Sequence, residues 1–359
     1  MSGPLLPEKF DDLPDKRRHW PGKPGSEDEG LGMLRLLTPD VVANAAKTQI
    51  QTGDRVCLNW NIENLTPPVG RAPTPQRPSP IPEDPNRRLF YGGTTASEII
   101  DSDSPRIGIG HWAKKGIAGR GVLIDYVRYA AKKGKPINAL TRYEISLDEV
   151  IKIARESNIT FQQGDIFFLR VGLPATWAAM SAEQRKAYSQ QSTPQHAGIE
   201  QSERVLRFLW DNHFAAVASD AVSFEVFPAK NPEFDLHHYL LAGWGVPIGE
   251  MFDLDELAKM CERLGRWSFF ISSSPLNCAR GGFESAELYG DFLKTVYVGR
   301  GNGIRELYVL GLIRLGFLCP SCRAEPRDKR IRACLNPHEE AGSMEASAPN
   351  PPRSCRSLS

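Results

Sequence analysis

The sequence predicts an α/β protein with a mixed central sheet and flanking helices. Two observations carry that expectation. From about Thr38 to Ser273, strand-like runs and amphipathic helical stretches alternate along the chain. The strand-like runs, such as "GVLIDY" and "GDIFFLRVG", are continuously apolar and do not alternate, as expected of strands covered on both faces. No internal repeat is visible.

Thr38 followed by Pro39 opens a helix over "DVVANAAKTQI". A threonine hydroxyl can accept from a free N–H of the first turn, where proline has no N–H to leave unpaired. Gly53 and Asp54 then lead into a strand over Arg55–Trp60. "GVLIDY" (121–126) is a buried strand. Gly116, Gly119 and Gly121 are read as a tightly packed turn ahead of it. They precede the strand and lack Gly-x-Gly-x-x-Gly order, so they are not a phosphate-binding loop. Ser146 with Glu149 makes a capping box, and Leu147, Val150, Ile151 and Ala154 fall on one face of the helix that follows. "GDIFFLRVG" (164–172) is a strand bounded by glycines, "SERVLRFLWDNHF" (202–214) a helix and "AAVASD" (215–220) a strand. Asp253 with Glu256 suggests a second capping box, ahead of an apolar stripe of Leu254, Leu257, Ala258, Cys261 and Leu264. "WSFFISS" (267–273) closes the series as a strand.

The 359 residues carry 44 Lys and Arg against 43 Asp and Glu. That balance lacks the basic excess expected of a nucleic-acid or anionic-membrane partner. No apolar run approaches the roughly 18 residues of a membrane span. The opening "MSGPLLPEKFDDLPDKRRHW" has no apolar core of a secretory signal. Four of the seven cysteines lie at Cys319 or later, which is no disulfide framework, and a cytoplasmic location is expected. Three regions are expected: an extension over 1–37 packing on the domain, a domain over 38–315, and a tail over 316–359. Eight prolines in the nineteen residues 67–85 exclude a central strand or helix interior there. The tail places Cys319-x2-Cys322 ahead of Cys334-x3-His338, near zinc-finger spacing. Its intervening "RAEPRDKRIRA" is too polar to build a core, and the tail reads as disordered.

The chemistry-bearing stretch is "LHHYLLAGWGVPIGE" (236–250). Imidazole and carboxylate together suit Zn, Mn or Fe. Gly245, Pro247 and Gly249 argue against one continuous helix. A helix or strand end, a Gly-Trp-Gly turn and a short strand would instead bring His238 and Glu250 together. By spacing alone, surface or capping roles are commoner for such residues. Asp220, at a strand end, is read as capping the following turn, with catalysis the less common alternative. His111 is a weaker substitute ligand.

Read together, "GRGVLIDY", "QQGDIFFLRVG", "AAVASDAVSFE" and "LHHYLLAGWGVPIGEMFDLDEL" stand in the order and spacing of the cyclase family, which includes metal-dependent bacterial kynurenine formamidase. The chain resembles that family over roughly residues 7–280, and its fungal branch most closely, through "LFYGGTTASEI" and "IGIGHWAKKGIAGRGVLIDYVRYA". The resemblance implies a swivelling β/β/α-like cyclase fold, a divalent metal (Zn, or Mn) and hydrolysis of linear or cyclic amides. The substrate it implies is a small-molecule amide, N-formylkynurenine of tryptophan catabolism, and the assembly a homodimer. It makes Glu250 a metal ligand, together with His238 or His237, His238 being slightly preferred. It assigns no catalytic residue here. The family's His-x-Gly-Thr-His-x-Asp-x-Pro-x-His segment, which supplies the other ligands and the base, should lie between "VCLNW" and "LFYGGTT". The proline-rich run stands there instead, and no histidine lies between His19 and His111. A weakly held or absent metal and very slow hydrolysis are therefore expected. The alternative is a catalytically dead or truncated member that binds a ligand or partner.

Overall fold

The computed structural model describes residues 6–60, 64–65, 67, 110–275 and 295–298. The proline-rich run beyond Pro67, the "LFYGGTTASEI" stretch and the tail with Cys319, Cys322, Cys334 and His338 lie outside the described residues.

Nine strands are described: β1 (Asp54–Cys57), β2 (Ile117–Asp125), β3 (Glu144–Ile145), β4 (Ile166–Arg170), β5 (Gly198–Ile199), β6 (Ala216–Ser219), β7 (Ile248–Gly249), β8 (Ser268–Ser273) and β9 (Thr295–Val298). Seven form one sheet in the order β1-β9-β8-β2-β4-β6-β7, and β3 with β5 forms a small parallel ladder. β2, β4, β6 and β7 run parallel. β8, β9 and β1 extend the β2 side with antiparallel pairs. This is the expected mixed α/β sheet with flanking helices. The continuous apolar runs have the expected cause: Val122, Leu123 and Ile124 of β2 and Phe167, Phe168 and Leu169 of β4 are wholly buried.

Helix starts follow local chemistry where the capping side chain has an N–H to meet. The hydroxyls of Thr38 and Ser202 accept from Val41 N–H and Val205 N–H and open helices Pro39–Gln49 and Glu203–Asp211. The predicted box at Ser146 forms by half. Ser146 accepts from Glu149 N–H, but the Glu149 carboxylate accepts from the Ser146 and Tyr126 hydroxyls and does not turn back to the backbone. The box at Asp253 does not form. The helix runs Asp255–Leu264 behind Leu254, while Asp253 accepts from Asp255 N–H. Its stripe is buried at Leu254, Leu257, Ala258 and Cys261. β1 stops at Cys57, short of the predicted Trp60, and Asn59 makes a single bridge to Phe252.

Of the glycines before "VLIDY", Gly116 alone sits in the connection ahead of β2, with φ 73°. Gly119 and Gly121 lie within β2, where Gly121 pairs with Phe269 of β8. A Cβ on Gly121 would stand 2.2 Å from the Phe269 ring, so the strand passes beneath an aromatic that leaves room only for hydrogen.

The N-terminal segment is tied down by indoles. Trp210 Nε1–H donates to Pro7 O, Trp244 to Lys16 O, Trp20 to Glu29 O and Trp112 to Gly30 O. Phe10 is buried edge-on to Trp244, and its N–H donates to the Asp211 carboxylate at 2.7 Å. A buried indole brings a large apolar area but needs an acceptor for its one donor. Among the described residues no helix is long and apolar enough to cross a membrane.

Deleting residues 1–25 would strip Trp210 and Trp244 of their acceptors and uncover both rings. Each buried donor left unpaired costs about 1–3 kcal/mol. The expected outcome is a fall in melting temperature of at least about 6 °C, read by near-ultraviolet circular dichroism on heating. An unchanged melting temperature would show that the segment adds nothing to the domain.

Candidate metal site

The site grows from the carboxyl ends of β6 and β7, the edge where open parallel sheets place ligands. β6 ends at Ser219, and the next residue, Asp220, is fully buried. Its two oxygens accept from Val171 N–H at 2.5 Å and Gly172 N–H at 2.8 Å. Asp220 therefore holds the end of β4 against the end of β6, and does not cap the turn after it as the sequence suggested. Burial pushes its carboxyl up to about 7, against the two backbone donors.

Phe224 sinks into an aromatic cluster, 6.0 Å from the Phe167 ring. That anchor sets the next three residues beside the segment 196–199. His196 and Phe227 exchange both backbone hydrogen bonds at 3.0 Å. Ile199 N–H donates to Phe224 O, and Val226 N–H to Ile199 O. Gly198 permits this approach, because a Cβ there would lie 2.3 Å from the Glu225 carbonyl carbon.

After His237 the chain makes a wide, π-type helical segment, His238–Trp244. Such segments recur at functional sites. It ends at Gly245 in the left-handed region, φ 65°, and β7 follows, leading to Glu250. The spacing predicted a helix or strand end, a Gly-Trp-Gly turn and a short strand; the turn falls at Gly245, with Gly243 and Trp244 still inside the π-type segment.

His237 is the histidine brought to Glu250. Its Nε2 lies 3.3 Å from Glu250 Oε1, and its Nδ1 lies 2.8 Å from Glu225 Oε1. Its backbone N–H donates to Glu225 Oε1 and Asp235 Oδ1. Glu250 Oε1 also accepts from Phe224 N–H at 3.2 Å. His238, the preferred candidate from sequence, instead turns outward, half-exposed, with Nδ1 3.5 Å from Asp235 Oδ2. Consecutive helical residues point about 100° apart, so one of the pair faces in and the other out. The ring of His111 packs against Gly30 of the N-terminal segment, away from this cluster.

Donor atoms of Glu225, Asp235 and His237 all lie within 4.8 Å of one another. Neither acid was singled out from the sequence, since no spacing rule links them to His237; only the chain's path past β6 does. The electrostatics are those of a cation pocket. Burial opposes charge on His237, yet Glu225 and Glu250 outweigh it and hold the imidazole well above its ordinary range. Burial raises the Asp235 carboxyl, with Glu225 adding to the effect. Three carboxylates thus surround one imidazole. Among the described residues, Glu225 Oε2 is buried and meets no hydrogen-bond partner. A buried carboxylate oxygen without a donor is costly, and a divalent cation would satisfy it. Mixed imidazole and carboxylate donors suit Zn or Mn, so the residues present fit a metal.

A family model described as "Putative cyclase" matches residues 95–226. Over those residues the chain is similar to the cyclase family. A crystal structure described as a novel cyclase superposes on this chain with a TM-score of 0.58 at 23% identity, covering 76% of this chain and 97% of that one. Isatin hydrolase A from Labrenzia aggregata, bound to benzyl benzoate, gives 0.44 at 14% identity over 69% of this chain and 94% of its own. Isatin hydrolase A from Ralstonia solanacearum gives 0.43 at 14% over 68% and 91%. No curated protein matches the sequence.

Asp220 offers a direct test of the scaffold under the site. Asp220→Ala leaves two buried N–H groups without acceptors, at about 1–3 kcal/mol each. Chemical denaturation should show stability falling by about 2–5 kcal/mol. A change under about 0.5 kcal/mol, the range of ordinary surface substitutions, would show that this carboxylate does not hold β4 to β6.

Proposed function

We propose that Glu225, Asp235, His237 and Glu250 hold one divalent metal, Zn or Mn, and that this chain is an amide hydrolase of the arylformamidase type. Its substrates are small linear or cyclic amides. N-formylkynurenine, in tryptophan catabolism, is the one suggested by the family resemblance. The observation that carries the reading is the buried, unpartnered Glu225 Oε2 beside His237 in a cluster of three close donors.

When bound, a divalent ion supplies Lewis acidity toward a carbonyl oxygen. The chain's own residues do the rest. Glu225 at Nδ1 would fix the plane of the His237 ring, while Nε2, now 3.3 Å from Glu250, would have to release that contact and its proton to meet the ion. Asp235, the most exposed carboxylate of the cluster, faces solvent through half-exposed His238. In this reading residues 1–37 are an extension packed on the 38–315 domain, and the 67–85 run replaces the family's ligand segment, as the fungal-branch resemblance suggests. The protein is a cytoplasmic homodimer.

A second reading, a non-catalytic member that binds metal and ligand without turnover, is favoured by one observation. The sequence has no histidine between His19 and His111, where the resemblance expects ligands and a base.

Metal analysis and formamide hydrolysis on the purified chain, with and without chelator, test both readings. We expect about one zinc per chain and slow hydrolysis that chelator abolishes. His237→Ala should weaken zinc binding at least about tenfold, and His238→Ala should change it less than about threefold. Zinc binding without turnover selects the second reading. No bound metal overturns both.

A further inference from the structure

Among the described residues, three buried side-chain polar atoms have no hydrogen-bond partner: Arg120 Nε, His196 Nδ1 and Glu225 Oε2. Arg120 lies within β2, paired with Asp165. The other two belong to one place. His196 and Glu225 stand on adjacent extended segments, locked by the reciprocal backbone bonds of His196 with Phe227 and by the bridge of Ile199 to Glu225. The His196 ring is 4% exposed and stacks on Phe227, with centroids 5.0 Å apart and planes at 12°. His196 feels the charges of both Glu225 and His237.

An orphaned buried acceptor and an orphaned buried nitrogen on adjacent extended segments are complementary. With its proton on Nδ1, His196 is a donor, and Glu225 Oε2 is an acceptor that nothing else meets. A purely structural stack on Phe227 would need no ring nitrogen. Buried without a partner, that nitrogen is a cost that phenylalanine would avoid. Carboxylates that bind metals are themselves held by a second hydrogen bond, which fixes the direction of the liganding oxygen.

We propose that His196 is the positioning residue of Glu225, its Nδ1–H hydrogen-bonding the carboxylate, directly or through one water, when the metal is bound. The inference rests on the metal reading above. It adds to the site a histidine from a segment forty-one residues before His237 in the chain, and makes the zinc affinity depend on it.

The test is zinc affinity by calorimetry for the wild type, His196→Phe, His196→Asn and His237→Ala, with thermal unfolding as the check on folding. His196→Phe keeps the stack and removes the donor, and should weaken zinc binding about 10–100-fold. His196→Asn places an amide N–H near the Nδ1 position and should recover most of the affinity. In long-range proton–nitrogen spectra of the zinc-loaded wild type, His196 should carry its proton on Nδ1. If His237→Ala loses zinc while His196→Phe binds like the wild type, or if His196 is protonated only on Nε2, the positioning role falls and the metal site stands. If the wild type binds no zinc, both fall together.

Discussion

The imidazole of His237 lies between two buried carboxylates, and the geometry of the site depends on that contact. Two acids held in a dry pocket repel each other and lose their hydration, which costs several kcal/mol per ion unless a cation or good donors compensate. The His237 ring meets one acid with each nitrogen, and its backbone N–H meets Glu225 and Asp235 as well. These contacts draw the loop after β6, the start of the π-type segment and the end of β7 to one point. The unmet oxygen of Glu225 marks where a single histidine is not enough.

The acids stay where they are because apolar packing holds the backbone under them. Phe224 packs on Phe167, one ring of a cluster with Phe161, Phe208 and Phe214 that joins β4 to the helix Glu203–Asp211. Asp220 bolts β6 to the end of β4 through two backbone donors. On the other side Trp244 ends the π-type segment and gives its N–H to Lys16 O, while Met33 N–H donates to Gly245 O. The N-terminal stretch thus reaches the turn that aims β7, and through it Glu250.

The apolar runs of β2 and β4 could be read as doubly covered strands because burial on both faces leaves a local signature. The caps at Thr38 and Ser202 could be read because a hydroxyl needs only the N–H three residues on. The box at Asp253 could not, because the helix starts one residue later than the spacing implies, with Leu254 at its N-cap. Gly121 reads locally as a turn residue because its reason for being glycine is the Phe269 ring, a residue 148 positions away that pairs with it across the sheet.

By itself the sequence determined the α/β alternation, the helix–turn–strand path from His237 to Glu250, and Glu250 as a ligand candidate, since these depend on neighbours within a few residues. Only the tertiary structure decided that His237 faces in and His238 out. It alone brought Glu225 and Asp235 to the ring and laid the segment of His196 alongside that of Glu225. Those choices depend on helix phase and on the register between segments distant in the chain, and no local pattern encodes either.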